Sequence, residues 1–331
     1  MEPAVSEFGE EELIKFVLEV LDEGFLPKNE DWAGFLLNGK VIGFCTDSFV
    51  NKTDFPPRAN YWFAGWKTVT MCVSDAVSKA LEPCAFIASV NIPKSLPYVD
   101  FKRIIYGMKS ACRYYGVKYL GGDIGESDNV VLAGAVVAVG EKEDVVLRSG
   151  AKPGDYLAVT GPFGDARIGL ELLLGKVKAT KESALDRKLI LKFLKPIARV
   201  EEGLKLSKRT GVTSRIDSSD GLAASLWLLA DLSGVGFVID KLPASPELLE
   251  FCERNGLDAK EFVFYGGEEY ELVFTVSPDR WHEVEEIAKK HSLNVLRIGR
   301  STAEKGILFI DASGGEYKVQ RRGWTHLRCE R

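Results

Sequence analysis

Five short acidic segments, each set beside small residues at the end of an apolar run, constrain this chain more than any other feature. They are CTDSF around Asp47, VSDAV around Asp75, YLGGDIG at Tyr119–Gly125, IDSSDG with Asp217 and Asp220, and GGEEYE at Gly266–Glu271. Acidic residues so placed are how a protein gathers carboxylates around hard metal ions that carry a polyphosphate. The third segment is the sharpest. A paired glycine tolerates positive φ and close approach by a ligand, so Gly121 and Gly122 are expected to form a turn. From that turn Asp123 would face a phosphate or cation, directly ahead of the next strand.

The bulk numbers narrow the class. A length of 331 residues suffices for two domains with their own cores. Lys plus Arg total 43 against 48 Asp plus Glu, a formal charge of −5, so no basic stripe for nucleic acid is expected. Six cysteines, at 45, 72, 84, 112, 252 and 329, show no CxxC spacing and read as small apolar residues in a reducing compartment. No basic region followed by an apolar run opens the chain, and no apolar run is long enough to cross a bilayer. The expectation is a soluble cytoplasmic protein without membrane partners.

Periodicity supplies the scaffold. Helical stripes are expected over 10–21, 66–81, 101–115, 166–174, 184–195, 221–232, 247–254 and 279–290. Strands are expected at 41–45, 86–92, 130–139, 156–160, 237–239, 271–276 and 306–310. The first of these strands would deliver Asp47 at its end. The continuous apolar run of 130–139 predicts burial on both faces or in an intersubunit surface, one route to a homodimer. Charge, glycine and proline over 141–156 place a boundary between an N-terminal domain, 1–145, and a C-terminal domain, 146–331. Alternating elements give an α/β (α+β) fold in two parts. Asp220 stands just before the 221–232 helix, where a plain N-cap reading remains open.

Metal-assisted phosphoryl transfer fits this pattern, because it asks the protein for cation ligands and positioned donors rather than covalent chemistry. Asp47, Asp75, Asp123 and Asp220 are separated oxygen ligands of the kind Mg2+ accepts. The chain has no GxxxxGK[ST] loop, no EF-hand spacing and no GxSxG. A glycosidase-like carboxylate pair stays open on these residues alone, although five segments exceed what it needs.

The order of the segments resembles the thiamine-monophosphate kinase family, within the aminoimidazole ribonucleotide synthetase-like superfamily. The matching stretches are CTDSFV at 45–50, GWKTVTMCVSDAVSKAL at 65–81, YLGGDIG at 119–125, LRSGAKPGDYLAVTGPFGDA at 147–166, RIDSSDGL at 215–222, GGEEYELVF at 266–274 and GWTHL at 323–327. This resemblance implies a two-domain synthetase-like fold, an N-terminal sheet that forms a homodimer interface, and ATP- and Mg2+-dependent phosphorylation of thiamine monophosphate to thiamine diphosphate. It implies metal ligands at Asp31, Asp47, Asp75, Asp123, Asp217 and Asp220. Thr46, Gly121, Gly122, Asp123, Arg148 and Ser219 would meet the nucleotide, with Asp123, Asp220 and Arg148 as the catalytic set. Asp54, Glu268 and Trp324 would meet the acceptor: a carboxylate suits an aminopyrimidine and an indole stacks on a cationic ring.

The chain departs from the family pattern in named places. Where members commonly carry a GIGDDAA-like run it has PKNEDWAG at 27–34, with Glu30 beside Asp31. Asp54–Phe55 replaces an HF pair, and the helix usually written NxSDxAAMGA carries Cys72, Ser74, Asp75, Ser78, Lys79 and Ala80. Glu269 stands where aspartate is common. Two further readings follow from these changes: an ATP-dependent synthetase or kinase acting on another small phosphorylated metabolite, and an ATP-binding sensor that has lost transfer.

Overall fold

The structure, a computed structural model, describes residues 5–178 and 184–323. Its strands are β1 (Ala33–Leu37), β2 (Lys40–Val50), β3 (Glu82–Ile92), β4 (Lys118–Glu126), β5 (Val131–Glu141), β6 (Tyr156–Val159), β7 (Val212–Ser218), β8 (Gly236–Ile239), β9 (Glu271–Val276), β10 (Leu296–Thr302), β11 (Ile307–Ile310) and β12 (Glu316–Lys318). Its helices are α1 (Glu10–Val20), α2 (Asn51–Asp54), α3 (Tyr61–Ser78), α4 (Tyr98–Tyr115), α5 (Asp165–Leu173), α6 (Ala184–Leu194), α7 (Val200–Lys205), α8 (Leu222–Ser233), α9 (Pro246–Asn255), α10 (Ala259–Tyr265) and α11 (Trp281–His291).

Two mixed sheets carry the two halves. The first runs β1-β2-β5-β3-β4 and the second β12-β11-β8-β10-β6-β9-β7. In the first sheet β2 alternates, with Val41, Cys45 and Phe49 buried beneath and Phe44, Thr46 and Ser48 exposed above. This period of two is what a sheet with one covered face demands. Strand β5 alternates likewise, so its apolar run is buried on one face only. Phe49, Phe86, Val136 and the α3 residues Val69, Val73 and Val77 form the core beneath.

Helix α3 can lie close to α4 because each carries a glycine at the crossing. A Cβ on Gly65 would collide with the Ile104 carbonyl oxygen, and one on Gly107 with that of Trp62. The same helix joins the halves. Trp66 Nε1 donates to the Pro196 carbonyl at 2.8 Å, and the wholly buried Arg215 of β7 donates to the carbonyls of Val77 (2.9 Å), Ser78 (2.6 Å) and Leu206. A guanidinium satisfies the carbonyls that a helix leaves unpaired at its C-terminus. In the second half, α8, α9 and α10 cover one sheet face through Leu226, Leu229, Phe251 and Phe264, while Val284 of α11 belongs to the cluster with Leu272 and Phe274.

Some expectations are corrected. The segment YLGGDIG is not a turn but most of β4, an edge strand parallel to β3. Gly122, at φ 148, is required there because a Cβ would strike the Ala88 carbonyl. The 41–45 strand runs on to Val50, so Asp47 lies within β2 rather than at its end. The helix expected over 10–21 does form, as α1, with Phe16, Val17 and Val20 exposed.

Candidate active site

Strands and helices from both halves deliver carboxylates to one place. Asp75 rides on α3, Asp217 is the penultimate residue of β7 opposite Leu272 of β9, Asp31 precedes β1, and Asp47 points inward from β2. Ligand oxygens of Asp31, Asp75 and Asp217 lie within 4.8 Å of one another. Ser74 Oγ donates to Asp217 Oδ2 at 2.6 Å. Asp31 is paired twice, with Lys79 Nζ at 3.0 Å and the Arg148 guanidinium at 2.8 Å.

The electrostatics follow from burial and crowding. Burial pushes the Asp75 carboxyl well above its usual range, and the charges of Asp217, Asp31 and Asp47 add to this. Asp47 is raised to about 7, chiefly by burial, against the Ser48 N–H that lowers it and with Asp217, Glu268 and Asp220 raising it further. Burial, with Asp31 next, lifts Asp217 to about 6. At Asp31 burial also raises, but Lys79 and Arg148 outweigh it and hold the group low. Carboxylates that resist ionising beside one another are relieved by a cation among them. The donor set is all oxygen, which fits Mg2+ rather than a soft metal.

Next to this cluster opens a cleft of about 1270 Å3, its lining including Asp47, Asp54, Ser219, Asp220, Glu268 and Arg322. The loop between α10 and β9 enters it in a constrained form, with Glu268 at φ 72 and Tyr270 at φ 55. Such backbone is costly without glycine and persists where neighbours fix it. Here the Glu268 N–H donates to the Ser219 carbonyl at 2.7 Å and the Tyr270 N–H to that of Ser218 at 3.0 Å. The Glu268 carboxylate meets Lys67 Nζ at 2.6 Å and accepts from the Tyr270 hydroxyl at 3.2 Å. Lys67 is wholly buried and lies 4.0 Å over the Phe193 ring.

The family model for AIR synthase related protein, N-terminal domain, matches residues 30–141, and that for the C-terminal domain matches 152–311. The thiamine-monophosphate kinase of Nitrosopumilus maritimus is 34% identical over 324 residues, covering 98% of this chain and all of that one. This chain belongs to the AIR synthase-related family, on its thiamine-monophosphate kinase branch. A solved structure of AaThiL complexed with AMPPCP and TMP superposes with a TM-score of 0.86 at 31% identity, covering 98% of this chain and 99% of that one. The thiamine monophosphate kinase of Aquifex aeolicus gives 0.79 at 31% identity, covering 95% and 99%.

For a chain of the kinase branch, the residues picked out in the sequence fall into three places. Asp31, Asp75, Asp217 and Asp47 surround the buried cluster, while Asp54, Ser219, Asp220 and Glu268 line the cleft. Asp220 is not the N-cap of α8: that position is Gly221, at φ 103. Asp54 Oδ2 accepts the Val50 N–H at 2.7 Å, so part of its carboxylate closes the turn into α2. Thr46, Gly121 and Asp123 lie elsewhere, on the outer face of the first sheet, in register through Ala135 and Ile87 or Ala133 and Ser89. Gly122 lies beside them in β4, and within this one chain Asp123 is exposed, apart from the acid cluster. Arg148 does not line the cleft; it turns inward to Asp31 and Asn29. Trp324 lies outside the described residues.

Four further side chains, given no role there by the sequence, lie at these carboxylates. Lys67, Lys79, Ser74 and Glu30 all contact the predicted carboxylates or their neighbours. The available signal was a lysine within, and another just after, a helix of mostly apolar and small residues. A lysine there is either solvated or paired with a buried acid.

Proposed function

We propose that this chain transfers the γ-phosphoryl group of ATP to thiamine monophosphate, giving thiamine diphosphate and ADP. The observation that carries the reading is its full-length likeness to a kinase complexed with AMPPCP and TMP, in a chain whose own carboxylates crowd beside a cleft. Asp47, Asp75, Asp217 and Asp220, with Asp31 behind them, are the residues we assign to Mg2+. When bound, Mg2+ supplies positive charge to the phosphate oxygens as the bond to the leaving ADP breaks. Ser219 contributes to holding the nucleotide, and Arg148 acts through Asp31 as a positioning residue.

On the acceptor side, Glu268 receives the aminopyrimidine, held in place by Lys67 and Tyr270. Asp54 and Trp324 complete that side. The acceptor's own phosphate oxygen attacks, so no protein nucleophile or base is assigned.

A second copy of the chain completes the assembly in this reading. Phe35, Phe44, Ile87 and Val137 expose a contiguous apolar outer face on the first sheet, which favours self-association there. Thr46, Gly121, Gly122 and Asp123 share that face or its edge strand, so their part in the site runs through the packed pair. We place the domain boundary near residue 145 and the protein in the cytoplasm, where the unpaired thiols of Cys45, Cys72, Cys84, Cys112 and Cys252 stay reduced.

The test is direct: thiamine diphosphate and ADP are measured from ATP and thiamine monophosphate with Mg2+. Folded protein that forms neither product across metal and pH conditions removes this function. Asp123→Asn, which removes charge with little change in size, is expected to cut turnover while leaving the fold intact; unchanged turnover would drop Asp123 from the site.

A further inference from the structure

Beside the acid cluster, two basic and two acidic side chains close a buried box. Lys79, the C-cap of α3, has no solvent exposure, and its Nζ lies 2.6 Å from Glu30 Oε2 and 3.0 Å from Asp31 Oδ1. Arg148 forms the opposite wall: its backbone N–H donates to Glu30 Oε1 at 2.8 Å, and its guanidinium meets Asp31 Oδ2 at 2.8 Å. Each of the four carboxylate oxygens of Glu30 and Asp31 thereby lies within 3.0 Å of a nitrogen of Lys79 or Arg148, and the two positive charges balance the two negative ones. Among the described residues, Asp47, Asp75 and Asp217 form no ion pair at all; Ser74 alone donates from a side chain to Asp217. The box therefore neutralises one side of the cluster and leaves the other side short of positive charge.

The two positions lie far apart in the chain. Glu30 stands in the run PKNEDWAG and Lys79 in the helix segment SDAVSKAL, and in space the two pair. A buried ion pair is generally no more stabilising than an apolar pair of similar size. Packing alone does not explain why both are charged, whereas a neighbouring surplus of carboxylate does.

We propose that Lys79 is a built-in monovalent cation of the acid cluster, pairing with Asp31 in place of a divalent ion and leaving divalent-ion binding to Asp47, Asp75, Asp217 and Asp220. This rests on the Mg2+ reading above. It has two consequences. The cluster stays folded without metal, and its affinity for a divalent ion in the absence of nucleotide is lower than its carboxylate count implies.

The probe is Mn2+ alone, added to the metal-free full chain and followed by calorimetry and by electron paramagnetic resonance of free Mn2+. The variants are Lys79→Met and the pair Lys79→Met with Glu30→Gln, which removes both charges and keeps an acceptor for the Arg148 N–H. Freeing Asp31 from a cation at contact distance is expected to tighten Mn2+ binding about tenfold or more in the double variant. The gain should vanish when Asp31→Asn is added. Equal or weaker binding by the folded double variant, or a gain that survives Asp31→Asn, overturns the proposal. Should the variants unfold without metal, refolding by Mn2+ supports it and failure to refold counts against it. The parent reading is tested separately, by wild-type Mn2+ binding with an ATP analogue and its loss in Asp217→Asn.

Discussion

Ser74 of α3 donates a 2.6 Å hydrogen bond to Asp217 near the end of β7, and both side chains are buried. The donor belongs to the helix under the first sheet and the acceptor to the edge strand of the second, so a cluster carboxylate contributed by one half is oriented from the other. Arg215, two residues earlier on the same strand, grips the last carbonyls of the same helix. Site geometry and the packing of the halves are thus set by the same pair of elements.

Ser74→Ala tests that coupling. It removes a donor to a buried carboxyl and leaves a cavity too small to repack, so stability should fall by about 1–3 kcal/mol. Urea denaturation at pH 8 measures this. Metal binding should weaken as well, since an Asp217 without its donor ionises less readily. An unchanged midpoint and unchanged Mg2+ affinity would show that the bond orients nothing.

The crowded acids predict an inverted response to pH. In an unfolded chain these groups ionise near 3.8, while in the fold Asp217 is raised to about 6 and Asp47 to about 7. The folded state then holds protons that the unfolded state has released, so metal-free stability declines as pH rises from about 4 through about 7. Asp31, held low by Lys79 and Arg148, contributes the opposite slope, but only below the usual carboxylate range. Melting in EDTA should therefore occur at lower temperature at pH 7.5 than at pH 5. Mg2+ should raise the melting point more at 7.5, where binding displaces fewer protons. Equal melting temperatures at the two pH values without metal would contradict the burial of these acids.

Lys67→Met separates orientation from chemistry at the acceptor end of the cleft. Without Lys67, Glu268 loses its buried cation and keeps only the Tyr270 hydroxyl and a strained backbone to fix it. KM for thiamine monophosphate is expected to rise about tenfold or more, with KM for ATP nearly unchanged. Lys67→Arg should recover part of the loss. A variant impaired equally toward both substrates would place Lys67 in folding rather than in acceptor binding.

How far the sequence carries depends on whether a residue's partner is local. Strand β9 was legible at its full length because Leu272, Val273, Phe274 and Val276 make an apolar, β-branched and aromatic run that starts at Glu271, and all six of its residues are buried. The 41–45 strand was legible only in part, since Thr46, Asp47 and Ser48 interrupt its apolar run although the backbone stays extended to Val50. YLGGDIG misled for a physical reason: paired glycines permit a turn, but here Gly122 answers to the Ala88 carbonyl of a neighbouring strand. Asp75, Asp217 and Glu268 were found because an acid beside small residues at an element's end is a local signal. Lys67 and Lys79 were missed because their partners, Glu268, Glu30 and Asp31, are distant in the chain.

The outer face of the first sheet yields the last expectation. Phe44 is 44% exposed and Ile87 50% exposed, so the double change Phe44→Glu with Ile87→Glu should alter folding stability by only about 0.5 kcal/mol per site. If that face meets its copy across a two-fold axis, each new carboxylate is brought toward its symmetry mate in a desolvated surface, and association should fail. Sedimentation velocity is expected to show wild-type dimers and variant monomers. Turnover should fall with association if Thr46 and Asp123, which stand on the same face, serve a site that the pair shares. A monomeric variant with full turnover would confine the reaction to one chain, leaving Asp123 no part in it. A variant that still sediments as a dimer would move the interface to another surface.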